Sequence, residues 1–153
     1  MPTESPHAHR LRRGRFSILG GVYLLTLVVE GRKPHFDSLT AGRLLVAELR
    51  AADAAGWATS LAWVVMPDHL HWLVRLETLS LSALMRNVKG RSARRLNQHL
   101  DLTGPFWQAG FHDRALRKEE DLRLMARYIV ANPIRTGLVG RVGDYPLWDA
   151  IWL

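Results

Sequence analysis

Apolar residues along this chain fall into seven blocks separated by short polar or turn-forming stretches, and the spacing inside each block predicts its conformation. Residues 23–29 form a nearly continuous apolar run that suits a buried strand. Over residues 38–55, Leu39, Leu44, Leu45, Leu49 and Ala52 recur at helical spacing, with Ser38 placed to cap the start and Gly56 to stop the end. Residues 58–66, carrying Trp63, Val64 and Val65, are apolar enough for a strand covered on both faces. Pro67-Asp68 breaks that run, and residues 69–76 follow so closely that they predict its antiparallel neighbour. A long helix is expected over residues 81–100, ending before Gly104-Pro105. After an aromatic loop with Phe106, Trp107 and Phe111 come a short strand near 114–116 and a last helix over 119–130, stopped by Asn132-Pro133.

The order strand, helix, strand, strand, helix, strand, helix is the split β-α-β, ferredoxin-like pattern. It predicts an α+β fold in which helices cover one face of an antiparallel sheet, with an extra C-terminal helix that carries Tyr128. No repeat or linker divides the chain, so residues 1–153 predict a single domain with a flexible basic arm over 1–15. The tail over 139–153 holds Tyr145, Leu147, Trp148, Ile151 and Trp152, too apolar a set to stay in water, and is expected to pack back on the core.

Composition narrows the function classes. At 48% hydrophobic and 23% charged over 153 residues, the chain can bury a core. It has no cysteine, which excludes disulfides, cysteine-ligated zinc, iron–sulfur clusters and thiol catalysis, and a reducing cytoplasm is the expected compartment. The 21 Lys and Arg against 14 Asp and Glu leave a formal charge of +7, which favours a polyanionic partner, nucleic acid or an anionic membrane surface. Arg10, Arg12, Arg13 and Arg15 ahead of an apolar stretch imitate a signal peptide. That stretch is broken by Gly20, Gly21 and Thr26, meets Glu30-Gly31-Arg32-Lys33 without a small-residue cleavage site, and is too short to span a bilayer, so no membrane role is expected.

Three groups of residues could carry chemistry. His69 and His71, two apart on a predicted strand, project from one face and could hold one ion between them; hydrogen-bonded structural histidines are the other reading. Tyr128 and Asn132, four apart, share one face of the last predicted helix. A tyrosine hydroxyl is a poor nucleophile near its ordinary pKa of about 10 and needs a metal that orients and neutralises a scissile phosphate, to which Asn132 could add a carbonyl ligand. Equally, Tyr128 could pack against the sheet and Asn132 cap the helix. In the basic helix, Arg86, Lys89, Arg91, Arg94 and Arg95 crowd a stretch without acidic residues. A solvated face interleaves both signs, as Glu48 and Arg50 do in the earlier helix, so this run points to a nucleic-acid groove.

These pieces occur in a specific order. The run Ala62-Trp63-Val64-Val65-Met66-Pro67-Asp68-His69-Leu70-His71, the segment Val88-Lys89-Gly90, Phe106-Trp107-Gln108, and Arg127-Tyr128-Ile129-Val130-Ala131-Asn132-Pro133-Ile134-Arg135-Thr136-Gly137-Leu138 together span most of the chain. The sequence resembles the single-tyrosine HUH transposases of the insertion-sequence type, most closely their REP-associated tyrosine transposase branch. The resemblance implies that His69 and His71 bind the metal, that Asn132 completes the metal site one helical turn beyond the tyrosine, and that Tyr128 is the nucleophile. It further implies Mg²⁺ or Mn²⁺ as cofactor, single-stranded DNA with a hairpin as substrate, a 5′-phosphotyrosine intermediate with a free 3′-hydroxyl, and either a homodimer or a monomer. The segment His112-Asp113-Arg114 departs from the family pattern, where a histidine often stands nearer the place of Arg114.

Asp68 and Asp113 lie near the predicted strands and could tune a ligand or receive a proton. Two alternatives are a non-catalytic ferredoxin-like nucleic-acid-binding module and a metal-dependent hydrolase using water. The first lacks RNP-like aromatics on its predicted strands, and the second would tolerate loss of Tyr128.

Overall fold

A computed structural model describes residues 17–152, so the expected basic arm lies outside the described residues. The main elements are β1 (Val22–Val28), α1 (Leu39–Ala54), β2 (Ala58–Met66), β3 (His69–Leu76), α2 (Leu81–Leu100), β4 (His112–Leu116), α3 (Glu119–Val130), α4 (Asn132–Arg135) and β5 (Trp148–Ala150). Their local signals are those of the chain itself. The Ser38 hydroxyl accepts the Ala41 N–H at 3.2 Å to cap α1, and Gly56, at φ +75°, turns the chain into β2 where a side chain would be strained. Ser80 caps α2 in the same way through the Ala83 N–H.

The sheet is antiparallel throughout, in the order β4-β1-β3-β2-β5. Its first four strands follow the expected ferredoxin-like α+β arrangement. The fifth comes from the tail, which returns to pair Trp148, Asp149 and Ala150 with Val64, Trp63 and Ala62. Leu147 is buried against the core, and Gly42 on α1 lets it approach, because a Cβ there would land inside the Leu147 side chain.

The two sheet faces have separate cores. Leu25, Leu27, Leu70, Trp72, Val74 and Val65 point towards α1 and α2, joined by Phe36, Phe106 and Trp107. Ala62, Val64, Met66 and Leu73 point the other way, under Ala126, Ile129 and Val130 of α3. The expectation of helices on one face alone is therefore corrected, since α3 crosses to the opposite face. The reason is the strand composition: β2 is buried on both sides from Leu61 to Met66, and one helical layer would leave half of that surface in water. Among the described residues, no helix is long and apolar enough to cross a membrane.

Candidate active site

Strand alternation sends His69 and His71 to the α3 side, while Leu70 and Trp72 between and beyond them enter the α1–α2 core. The Pro67-Asp68 turn fixes the register, pairing Met66 with His69 and Val64 with His71. The two imidazoles meet edge to face with centroids 4.8 Å apart. Each has its Nδ1 engaged by a neighbour: His69 Nδ1 lies 2.7 Å from Asp68 Oδ1, and His71 Nδ1 lies 2.9 Å from Thr26 Oγ1. A carboxylate only accepts, so His69 Nδ1 is the donor in this bond and Nε2 is the nitrogen left for a further partner.

Electrostatics act on the second ring and on the carboxylate. Burial first, then the charges of His69 and Arg135, push the His71 pKa down to about 4, which keeps that ring neutral at neutral pH. Burial alone would raise the Asp68 carboxyl, but the His69 hydrogen bond and the Arg32 guanidinium outweigh it and hold Asp68 below its ordinary value. Arg32 reaches Asp68 Oδ2 at 3.2 Å, and the Asp68 carbonyl accepts the Val29 N–H at 2.9 Å, which ties the turn to the end of β1.

Tyr128 lies near the C-terminal end of α3 with 59% of its surface exposed. It borders an open groove of about 630 Å³ also lined by Leu24, Arg114, Leu116, Asp121, Leu124 and Met125. Of the three tyrosines, Tyr23 accepts the Ile18 N–H and Tyr145 donates to the Val65 carbonyl. Among the described residues, the Tyr128 hydroxyl has no hydrogen-bond partner.

The expected single helix for Tyr128 and Asn132 is corrected. α3 ends at Val130, and Asn132 opens α4 after a turn at Ala131, because Pro133 lacks the N–H that a continuing helix requires. Asn132 and Tyr128 are instead linked through Arg135, whose Nη2 donates to Asn132 Oδ1 at 3.2 Å and whose guanidinium carbon lies 3.7 Å from the Tyr128 ring centroid.

The basic helix is only partly an open surface. Lys89 Nζ donates to the carbonyls of Gln108 and Gly110 at 3.0 and 2.6 Å, pinning the loop that leads into β4. Arg91 and Arg95 reach the two oxygens of Glu48 at 2.8 and 2.7 Å. Glu48, read from sequence as part of a solvated face, is 2% exposed and supplies from α1 the counter-charge that α2 lacks. Arg86 and Arg94 are exposed. Asp113 pairs with Leu25 in register and so faces away from the imidazoles, whereas His112 pairs with Thr26 and shares their face.

Thr26, Asp68 as a fixed partner of His69, and Arg135 are the site residues that motif reading did not resolve. Thr26 carried a signal: it is the polar residue in the otherwise apolar run over 23–29, and a polar position in a buried strand needs a partner.

A family profile described as "Transposase IS200 like" matches residues 21–132. A REP-associated tyrosine transposase of Escherichia coli is 27% identical over 134 residues, covering 86% of this chain and 78% of that protein. A solved structure of a REP-associated tyrosine transposase bound to a REP hairpin superposes with a TM-score of 0.72 at 26% identity, covering 88% of this chain and 79% of that one. A Deinococcus radiodurans crystal structure, at 22% identity and a TM-score of 0.53, shares the fold.

Proposed function

The chain belongs to the IS200-like transposase family, and from that premise we propose that it nicks and rejoins single-stranded DNA beside a hairpin, with Tyr128 as nucleophile. The observation that carries the proposal is the uncommitted, exposed hydroxyl of Tyr128, which neighbours Asn132 through Arg135 while the other two tyrosines have their hydroxyls bonded inside the fold. Attack by Tyr128 Oη on a phosphodiester forms the Oη–P bond and breaks the P–O3′ bond. The phenolic proton is lost, the departing 3′-oxygen takes one up as a hydroxyl, and the 5′-phosphate stays on the enzyme. Retaining the phosphoester lets the strand be resealed without an external energy source.

The residues present fit a divalent cation. Two imidazoles with Nδ1 engaged can offer Nε2, as metal-binding histidines do when the other nitrogen is held by a carboxylate or hydroxyl. Among the described residues, no three His, Cys, Asp or Glu side chains gather to hold a metal ion, and a third donor from those residues would be of another type. We assign that place to the Asn132 amide oxygen; imidazoles alone suit zinc or iron, and the hard amide, phosphate and water oxygens in the remaining positions are what favour Mg²⁺ or Mn²⁺. When bound, such an ion would act as a Lewis acid on the phosphate. Thr26 and Asp68 orient the rings, and Arg86 and Arg94 offer cations to the DNA backbone.

The hairpin is suggested by what the solved REP-associated relative is bound to. The test is to incubate the protein with labelled single-stranded hairpin oligonucleotides, with Mg²⁺, Mn²⁺ or EDTA, and to run a denaturing protein gel. Label should travel with the protein only when metal is present and should vanish in Tyr128→Phe and His69→Ala. Label retained by Tyr128→Phe, or cleavage without any adduct, would end the proposal in favour of a water-using hydrolase.

A further inference from the structure

One cation outside the expected site touches two members of it. The Arg135 guanidinium sits over the Tyr128 ring at 3.7 Å and bonds Asn132 Oδ1 at 3.2 Å. Among the described residues it pairs with no carboxylate, unlike Arg91 and Arg95, and it is exposed. A guanidinium has five N–H donors in a planar fork that matches phosphate oxygens two at a time. The Asn132 bond uses one of them.

We propose that Arg135 is a catalytic residue of the same reaction: its remaining N–H groups grip the non-bridging oxygens of the DNA phosphodiester that Tyr128 attacks, while its contacts with Tyr128 and Asn132 keep both in place. The proposal rests on the Tyr128 reading above. Chemistry supports it in two ways. As the Oη–P bond forms and the P–O3′ bond breaks, negative charge builds on the phosphoryl group, and a cation already held beside the nucleophile meets that charge without reorganising. A phosphate held by Arg135 would also lie within one side chain's reach of Tyr128, because the guanidinium carbon is 3.7 Å from the ring centroid. A purely structural arginine would pack the ring just as well but would leave the chemical step unaffected.

The experiment uses the full chain as Arg135→Ala and Arg135→Lys, each checked for wild-type circular dichroism. Single-turnover formation of the covalent DNA adduct is measured at saturating hairpin oligonucleotide, and the Kd for the same DNA is measured separately. Loss of one transition-state donor typically lowers such a rate about 10²–10³-fold, and Arg135→Ala should fall in that range with a much smaller change in Kd. Arg135→Lys should recover only part of the rate, because an ammonium cannot make the paired contact. Millimolar guanidinium should speed Arg135→Ala and leave the wild-type rate unchanged. Arg135→Ala reacting within about threefold of wild type, well short of the loss expected for such a donor, would overturn the proposal. So would a loss confined to Kd, or a slow variant that guanidinium does not help. No adduct from the wild-type protein would instead overturn the Tyr128 reading, and the two failures are thereby distinct.

Discussion

Replacing Asp68 by alanine removes the carboxylate that orients His69 and leaves the imidazole free to change tautomer. The bond is short, at 2.7 Å, and partly screened from water, with the His69 and Asp68 side chains 18% and 26% exposed. A hydrogen bond to a charged group contributes a net ~1.5–3 kcal/mol. At about 1.4 kcal/mol per tenfold, that corresponds to about 10- to 100-fold weaker binding of a divalent ion by the histidine pair. Three companion variants divide the effect. Asp68→Asn keeps an acceptor but loses the charge and should fall between wild type and Asp68→Ala. Thr26→Val removes a neutral partner from His71, worth about 1 kcal/mol, and should weaken binding about fivefold. Arg32→Ala breaks an exposed contact to the same carboxylate, worth ~0–1 kcal/mol, and should change little. The assay is calorimetric titration of the full chain with Mn²⁺ at neutral pH without DNA. Asp68→Ala binding Mn²⁺ as tightly as wild type, or Arg32→Ala losing as much as Asp68→Ala, would refute the reasoning that the carboxylate acts through His69.

Further predictions concern the scaffold. Glu48→Gln should lower stability in urea at neutral pH by about 1–2 kcal/mol by giving one guanidinium an NH₂ to face; because the paired Arg91 and Arg95 outweigh burial and hold Glu48 below 4.5, the gap from wild type should close as pH falls through that lowered value. Tyr145→Phe should cost about 1 kcal/mol by leaving the Val65 carbonyl without its hydroxyl donor. Burial, then Asp37, push the Tyr145 pKa up to about 12, so the folded state holds its proton longer than the unfolded chain, and wild-type stability should fall more steeply than that of Tyr145→Phe as pH rises from 10 towards 12. Gly42→Ala should lower the melting temperature despite the better helix propensity of alanine, because its Cβ meets Leu147. Leu147→Ala in the same chain should give back part of that loss, and strict additivity of the two changes would contradict the contact.

Most elements were legible because their signals are local. Ser38 and Gly56 bracket α1, and Pro67-Asp68 sets the β2–β3 register that puts both histidines on one face. What escaped the sequence depends on neighbours far along the chain. β5 is three residues long, too short for a period, and exists because β2 offers an open edge. The crossing of α3 to the second sheet face was foreshadowed only by β2 being apolar on both sides. Glu48 looked like a surface charge because its partners lie 43 and 47 residues away. At the site, spacing singled out the two histidines and the Tyr128–Asn132 pair, and the roles expected of them came from the family resemblance. Arg135 was not among them, since three-dimensional proximity to Tyr128 and Asn132, not spacing, gives it a role.

The most direct test of the central claim is to trap the protein on a cleaved hairpin oligonucleotide with Mn²⁺, digest both partners, and locate the nucleotide-bearing peptide by mass spectrometry. The account predicts one modified residue, Tyr128, carrying a 5′-phosphate link and accompanied by a free 3′-hydroxyl fragment. A nucleotide on Tyr23 or Tyr145, or cleaved DNA with all three tyrosines unmodified throughout the reaction, would contradict it.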